Sequence, residues 1–318
     1  MSVPPVVVLT GPTGSGKSDW ALRLADVLPI EIISVDSVQV FRALNIGTAK
    51  PMAAARTRVR HHLLDIRDPS EAYSAGDFVR DTRRALAQIR ARGRLPVLVG
   101  GTMMYLRALL RGMAELPPAA PALRLKIEAE GAQLGWEAMH ARLAQVDPRA
   151  AAKIHPNDPQ RIGRALEVYR LSGRPISEWQ ASTQAPLEEV KWLRFALIPS
   201  DRVAHRLALE RRFRQMIEDG LVQEVRALAA RPDLHAELPA LRSVGYRQLW
   251  AYCQGEITLE ESCRLAIIAT GQLAKRQLTW LRSETAFERL DPADATGLGR
   301  IINAIQSAGF VAEESHRC

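Results

Sequence analysis

The sequence predicts an α/β fold, a parallel sheet flanked by helices, with a helical insertion domain. Three observations predict it. Short β-branched runs alternate with amphipathic stretches through the first 115 residues, the pattern of parallel strands covered on both faces by crossover helices. A Pro-rich break, "ELPPAAPALR" (115–124), then leads into 122–180, which holds helical runs but no strand pattern. Strand character returns at "KWLRFALIPS" (191–200), so the helical stretch reads as an insertion between two parts of one core. The expected organisation is a first core segment 1–115, a helical insertion 116–190 and a mostly helical second core segment 191–318.

The elements run in order. "PVVVL" (5–9) is a β-branched run that ends at a Gly-rich turn and reads as a buried strand. From Lys17 to Leu28 the spacing of Trp20, Leu24 and Leu28 predicts a helix. "EIISVDS" (31–37) is a second strand, ending in Asp36. Residues 75–92 read as an amphipathic helix stopped by Gly93. "LPVLVGG" (95–101) is a third strand, and "TMMYLRALLRG" (102–112) the helix after it. Beyond the insertion, 201–230 and 258–283 read as long helices and "TAFERLD" (285–291) as a last edge strand. No internal repeat or low-complexity segment interrupts this pattern.

Composition narrows the class. Hydrophobic residues make up 47% and charged residues 25%, as in soluble globular proteins. An 18-residue apolar span is missing, which argues against a transmembrane helix. The start, "MSVPPVVVL", lacks a basic n-region, which argues against a signal peptide. Cys253, Cys263 and Cys318 have no metal-ligand spacing and read as reduced thiols, so a cytoplasmic setting is expected. The formal charge of +8 is uneven: +6 over residues 1–115, zero over 116–190 and +2 over 191–318. Such a surplus fits a polyanionic partner such as RNA, and equally a solvated Arg-rich surface.

"GPTGSGKS", that is Gly11, Pro12, Thr13, Gly14, Ser15, Gly16, Lys17 and Ser18, matches G-x-x-x-x-G-K-[ST] between strand and helix. The glycines let several backbone N–H groups turn toward one anion, and Lys17 and the helix dipole add positive charge. The Ser18 hydroxyl is placed to hold Mg²⁺. The motif reports phosphate binding without naming the molecule that carries the phosphate. Asp36 and Thr102 come directly after the second and third strands, so both are expected in the same crevice as Lys17. An acid there can hold Mg²⁺, accept a proton from a substrate, or merely cap a turn.

Several segments together resemble the bacterial tRNA dimethylallyltransferases. They are "GPTGSGKS", "SVDSVQVFRALNIGTAKP" (34–51), "HHLLDI" (61–66), "GGTMMYLRALL" (100–110), "DPQRIGRALEVY" (158–169), "RSVGYRQLW" (242–250) and "KRQLTWLR" (275–282), in family order along almost the whole chain. The resemblance implies a core of the P-loop kinase type and a reaction. A dimethylallyl group passes from dimethylallyl diphosphate to N6 of the adenosine 3′ of a tRNA anticodon, with Mg²⁺. It makes Asp36 the general base and puts Thr102 at the reacting centre. Lys17 and Arg212, which lies four residues before Met216, hold the diphosphate; Arg211 and Arg214 compete for the second role, and the family's preceding arginine is Ala208 here.

The resemblance also implies contacts with the anticodon stem-loop. They come from Asp36, Ser37, Val38 and Gln39, from Thr102, from Gln160, Arg161, Ile162, Gly163 and Arg164, and from Arg242, Ser243, Val244, Gly245, Tyr246 and Arg247, with Arg124 as a further backbone contact. Gln39 and Gln160 are the expected readers of base edges. Phe41 stands where the family usually has tyrosine, and no zinc-finger cysteines come after the core. A monomer without membrane attachment is expected. The rival readings are a P-loop kinase acting on a small molecule or nucleotide, an adenylate prenyltransferase acting on free nucleotide, and a non-enzymatic RNA-binding module.

Overall fold

The computed structural model describes residues 5–183, 187 and 190–310. Six strands make one sheet: β1 (Val6–Thr10), β2 (Ile30–Val35), β3 (His61–His62), β4 (Leu95–Gly100), β5 (Trp192–Leu197) and β6 (Glu288–Leu290). Their order is β3-β2-β4-β1-β5-β6, and each pairing is parallel. β1 lies inside the sheet, and Val6 to Leu9 are all fully buried, which is why the run is unbroken rather than alternating. Burying each such side chain stabilises the fold by about 1.5–3 kcal/mol. β6 is the expected edge strand. The opposite edge, β3, is only two residues long and gives no periodic signal in sequence.

Register places the functional end of the sheet. Gly100 at the end of β4 is level with Thr10 of β1 and Val35 of β2, and Thr10 Oγ1 donates to Gly100 O at 2.9 Å. Three chain segments therefore leave the sheet together at the carboxyl ends of adjacent strands. After β1 comes α1 (Lys17–Ala25), and after β4 comes α4 (Met103–Arg111). Between them lie α2 (Ala53–Arg58) and α3 (Ala75–Ala91). A reciprocal Ser74–Asp77 capping box starts α3, meeting orphan N–H groups of its first turn.

The chain divides into two compact units, Met1–Leu106 with Glu189–Cys318, and Arg107–Glu188. The second unit begins within α4, ahead of the Pro-rich break. Residues 184–186 and 188–189 of the expected insertion lie outside the described residues, as does Cys318. In the first unit, one core packs Val7, Leu9, Trp20 and Leu24 with Ile301 and Ile305 of α14 (Gly297–Ser307). A second core joins Val40, Phe41 and Leu44 to α10 (Arg202–Glu218), α11 (Leu221–Ala229), α12 (Tyr246–Cys253) and α13 (Leu259–Ser283). Phe41 is buried there, as expected from its aromatic character.

The long helix expected over 201–230 is two helices. The chain turns at Gly220, whose φ of 102° ends the helical path between α10 and α11; a side chain there would be strained. Apolar periodicity continues on both sides of the turn, so pattern alone hides it.

In the second unit, α5 (Pro121–Leu134), α6 (Trp136–Val146), α7 (Pro148–Ala151), α8 (Pro159–Ser172) and α9 (Ile176–Ala181) surround Ile127, Met139, Leu143, Ile162 and Val168. Glu167 is fully buried in this unit. It accepts from Ala120 N at 2.8 Å, Arg164 at 2.8 Å and Arg124 at 3.0 Å. Burial opposes its charge, but Arg164, the Ala120 N–H and Arg124 together hold the carboxyl below its ordinary value. Removing it takes the shared acceptor away from Arg124, Arg164 and the part-buried Ala120 N–H. Glu167→Ala is expected to destabilise the protein by on the order of 3 kcal/mol in urea unfolding. The unfolded carboxyl binds protons more readily, so the Glu167 contribution is present above pH 4.5 and lost as pH falls through the lower folded value. The mutant is expected to lack that part of the acid sensitivity.

Candidate active site

The carboxyl ends of β1, β2 and β4 open onto a crevice of about 520 Å³, lined by Thr13 to Asp19, Asp36 to Gln39, Gly100 to Met104, Arg212 and Gln277 among others. The phosphate loop forms its floor. Gly16 caps α1 with φ 78°; a Cβ there would meet nothing within 4 Å, so the backbone angle, not crowding, requires glycine. This turn aims the N-terminus of α1 into the crevice, where its dipole favours an anion.

Lys17 is half-buried, and its ammonium folds back to donate to Pro12 O at 2.6 Å and Ser15 Oγ at 3.4 Å. Burial pushes this group down to about 7; the Arg212 guanidinium adds to the shift and Asp36 partly offsets it. Burial likewise lowers Arg212 from its ordinary value, with Asp36 opposing. Among the described residues neither cation makes an ion pair within 4 Å. Two desolvated cations converging, neither paired with a carboxylate within 4 Å, describe an anion site. Of the three candidate arginines, Arg212 lines this crevice, Arg214 is paired with Glu210 at 2.8 Å, and Arg211 lines a neighbouring cavity that shares Gly14, Ser15 and Gly16 of the loop.

Asp36 Oδ1 accepts from Val38 N at 2.8 Å and Gln39 N at 3.2 Å. Oδ2 makes no hydrogen bond among the described residues, so one oxygen is anchored and the other available. Thr102 Oγ1 accepts from Ser37 N at 3.0 Å, and the Thr102 carbonyl accepts from Tyr105 N and Leu106 N. Thr102 thus both starts α4 and braces the Asp36 turn.

Residues 38–51 form a further wall, which meets the crevice through Val38, Gln39, Thr48 and Ala49. Glu224 of α11 accepts from Ile46 N at 2.9 Å, Asn45 N at 3.0 Å and Gly47 N at 3.4 Å, and from the Tyr246 hydroxyl. The buried Lys50 ammonium donates to Phe41 O and to Asp65, each at 2.7 Å. Gln39 is tied into this wall at both ends: Oε1 accepts from Ser34 Oγ at 2.9 Å and Nε2 donates to Thr48 O at 3.1 Å. Reading a base edge would require Gln39 to exchange those bonds.

The expected RNA contacts divide by exposure. Gln160, Arg161, Arg242 and Arg247 are exposed. Ile162 and Tyr246 are buried, because α8 and α12 turn these side chains into their cores. Gly245, also buried, takes φ 91° to begin α12. Gly163 packs near Ile127 and Trp136. Arg124 and Arg164 are held on Glu167, Ser243 Oγ donates to Ala240 O, and Val244 lines a small cavity with Arg212 and Phe213. Two residues at the crevice and its loop carry no individual signal in sequence, Gln277 and His205; the first sits inside the segment "KRQLTWLR", which is its only mark.

The IPP transferase family profile matches residues 39–284. A tRNA dimethylallyltransferase of Thioalkalivibrio sulfidiphilus (strain HL-EbGR7) is 56% identical over 295 residues, covering 91% of this chain and 92% of that one. This chain belongs to the IPP transferase family. A second family member, the tRNA dimethylallyltransferase of Methylococcus capsulatus (strain ATCC 33009 / NCIMB 11132 / Bath), is 54% identical over 283 residues, 89% of this chain and 91% of that one. The crystal structure of the full-length tRNA isopentenylpyrophosphate transferase of Bacillus halodurans superposes with a TM-score of 0.68 at 34% identity, covering 96% of each chain. A eukaryotic dimethylallyltransferase acting on tRNA superposes with a TM-score of 0.79 at 26% identity, covering 98% of this chain and 81% of that one.

The depressed Lys17 yields a direct test. Lys17, lowered to about 7 in the free protein, is expected to lose its proton as pH rises past that value, and a bound diphosphate anion to restore its affinity for a proton. Diphosphate binding at pH 8.5 is therefore expected to take up about one more proton in the wild type than in Lys17→Arg. Calorimetric titrations in buffers of different ionisation enthalpy read the difference, which should vanish at pH 6.

Proposed function

We propose that this IPP transferase moves the dimethylallyl group of dimethylallyl diphosphate to N6 of the adenosine 3′ of a tRNA anticodon, releasing diphosphate. The observation that carries the reading is the free oxygen of Asp36 in the same crevice as the unpaired cations Lys17 and Arg212. An allylic C–O bond ionises when its departing diphosphate is stabilised, because the cation left behind is delocalised. The loop N–H groups, Lys17 and Arg212 supply that stabilisation where charge develops. An adenine amine is a weak nucleophile, since its lone pair is drawn into the ring. Asp36 Oδ2 takes its proton as the C–N bond forms, while Oδ1 stays fixed by two backbone donors. The loop thus grips a leaving group, and no phosphoryl group is transferred.

Ser18 is exposed on the first turn of α1 and its hydroxyl makes no hydrogen bond among the described residues, so it fits the role of Mg²⁺ ligand. Among the described residues no cluster of three His, Cys, Asp or Glu is arranged to hold a metal, so an ion here would take its other ligands from substrate phosphate and water. Bound there, Mg²⁺ supplies counter-charge to the diphosphate.

Chemistry on a base requires the base to leave its stack, and loop bases do so at lower cost than paired ones. Arg242 and Arg247, both exposed, are the proposed phosphate contacts in the first unit. Arg161 is their counterpart in the helical one, where Gln160, also exposed, is the proposed reader of a base edge. Among the described residues no helix is long and apolar enough to cross a membrane. The proposed setting is the cytoplasm, which the free thiols of Cys253 and Cys263 fit, and the proposed state is a monomer.

Asp36→Asn is expected to keep tRNA binding while slowing the single-turnover rate about 10²–10⁴-fold; an unchanged rate removes Asp36 as base. Binding of tRNA should weaken steeply with salt. Replacing Arg242 or Arg247 by Ala should lower the slope of log Kd against log salt by about 1 for each phosphate that the variant no longer neutralises.

A further inference from the structure

Gln277 reaches from α13 into the crevice and is itself buried. Its amide spans two loops that come from different strands. Oε1 accepts from the Thr13 N–H of the phosphate loop at 2.8 Å, and Nε2 donates to the Gly101 carbonyl at 2.9 Å. The two partners fix which end of the amide points where, because Thr13 N offers only a proton and Gly101 O only lone pairs. A Cβ on Gly101 would fall 2.5 Å from Nε2, so the amide occupies the space a side chain would take. The Thr13 peptide is also held from its other side, where His205 Nε2 meets Thr13 O at 2.9 Å. His205 lies on α10, two turns before Arg212. On the far side of Gly101, Thr102 N donates to Val35 O and Thr102 Oγ1 accepts from Ser37 N, next to Asp36.

One amide therefore links the loop that grips the leaving group to the turn that carries Thr102 and braces the base. We propose that Gln277 is the positioning residue that holds the phosphate loop and the Thr102 turn at the separation prenyl transfer requires. This rests on the transferase reading above. Gln277 bridges backbone to backbone, and it acts by setting the distance between donor carbon and acceptor amine. Misplacement of reacting groups by about 1 Å costs on the order of 10²-fold in rate.

The test uses two variants of the full chain, Gln277→Met and Gln277→Glu, with wild type alongside. Gln277→Met fills the space and removes both hydrogen bonds. It is expected to bind tRNA and inorganic diphosphate within about threefold of wild type, yet to slow single-turnover prenyl transfer about 10²-fold. Gln277→Glu reproduces the amide only when protonated, with its carbonyl accepting from Thr13 and its hydroxyl donating to Gly101. Its rate relative to wild type is expected to rise as pH falls and the carboxyl gains its proton, while that of Gln277→Met stays flat. A residue that merely fills volume would give neither the loss confined to the chemical step nor the pH-dependent recovery. A wild-type rate in Gln277→Met, or a pH-independent ratio in Gln277→Glu, overturns the proposal. Should wild type itself leave the prenyl donor intact, the transferase reading fails and the clamp falls with it.

Discussion

The in-register ending of three adjacent strands is the constraint on which the site depends. Gly100 is level with Thr10 and Val35, so the phosphate loop, the Asp36 turn and the Gly100–Thr102 turn all begin at one height above the sheet. The register is held by the parallel backbone ladders on both sides of β1 and β4 and by the Thr10 Oγ1 bond to Gly100 O. The backbone thus brings a basic loop and an acidic turn together at no cost to the core beneath them.

Burial and charge oppose one another at the floor of this crevice. Lys17 and Arg212 are both held where desolvation works against their protonated forms, and only Asp36 favours them. The free protein carries that strain, and an anion bound as proposed would relieve it. The helical unit resolves the same conflict internally: Glu167 is buried but saturated by two arginines and a backbone donor. One arrangement is complete without a ligand and the other is not, and that difference marks the binding site more sharply than the number of arginines does.

Much of the fold and of the crevice is legible in the sequence. The phosphate loop, the three strands that precede functional turns and the placement of Asp36 and Thr102 come from local pattern, because each is a short-range consequence of β-branched runs and glycines. Arg212 is legible only through its distance from Met216; its separation from Arg211 and Arg214 depends on which face of α10 meets the crevice, a tertiary fact. Ile162 and Tyr246 show the reverse problem, since motif segments mix core residues with surface ones and spacing alone does not sort them. Gln277 is hidden because its partners are backbone atoms more than 170 residues away in sequence, and backbone atoms leave no mark in composition.

The left-handed turn at Gly220 has a wider reach than its position on a helix joint suggests. On one side of it α10 brings Arg212 to the phosphate loop; on the other, α11 brings Glu224 to residues 45–47 of the further wall. One glycine thereby fixes the relative direction of two helices that hold separate pieces of the same site. A side chain at that joint would be strained, so a substitution made outside the cleft would be felt within it.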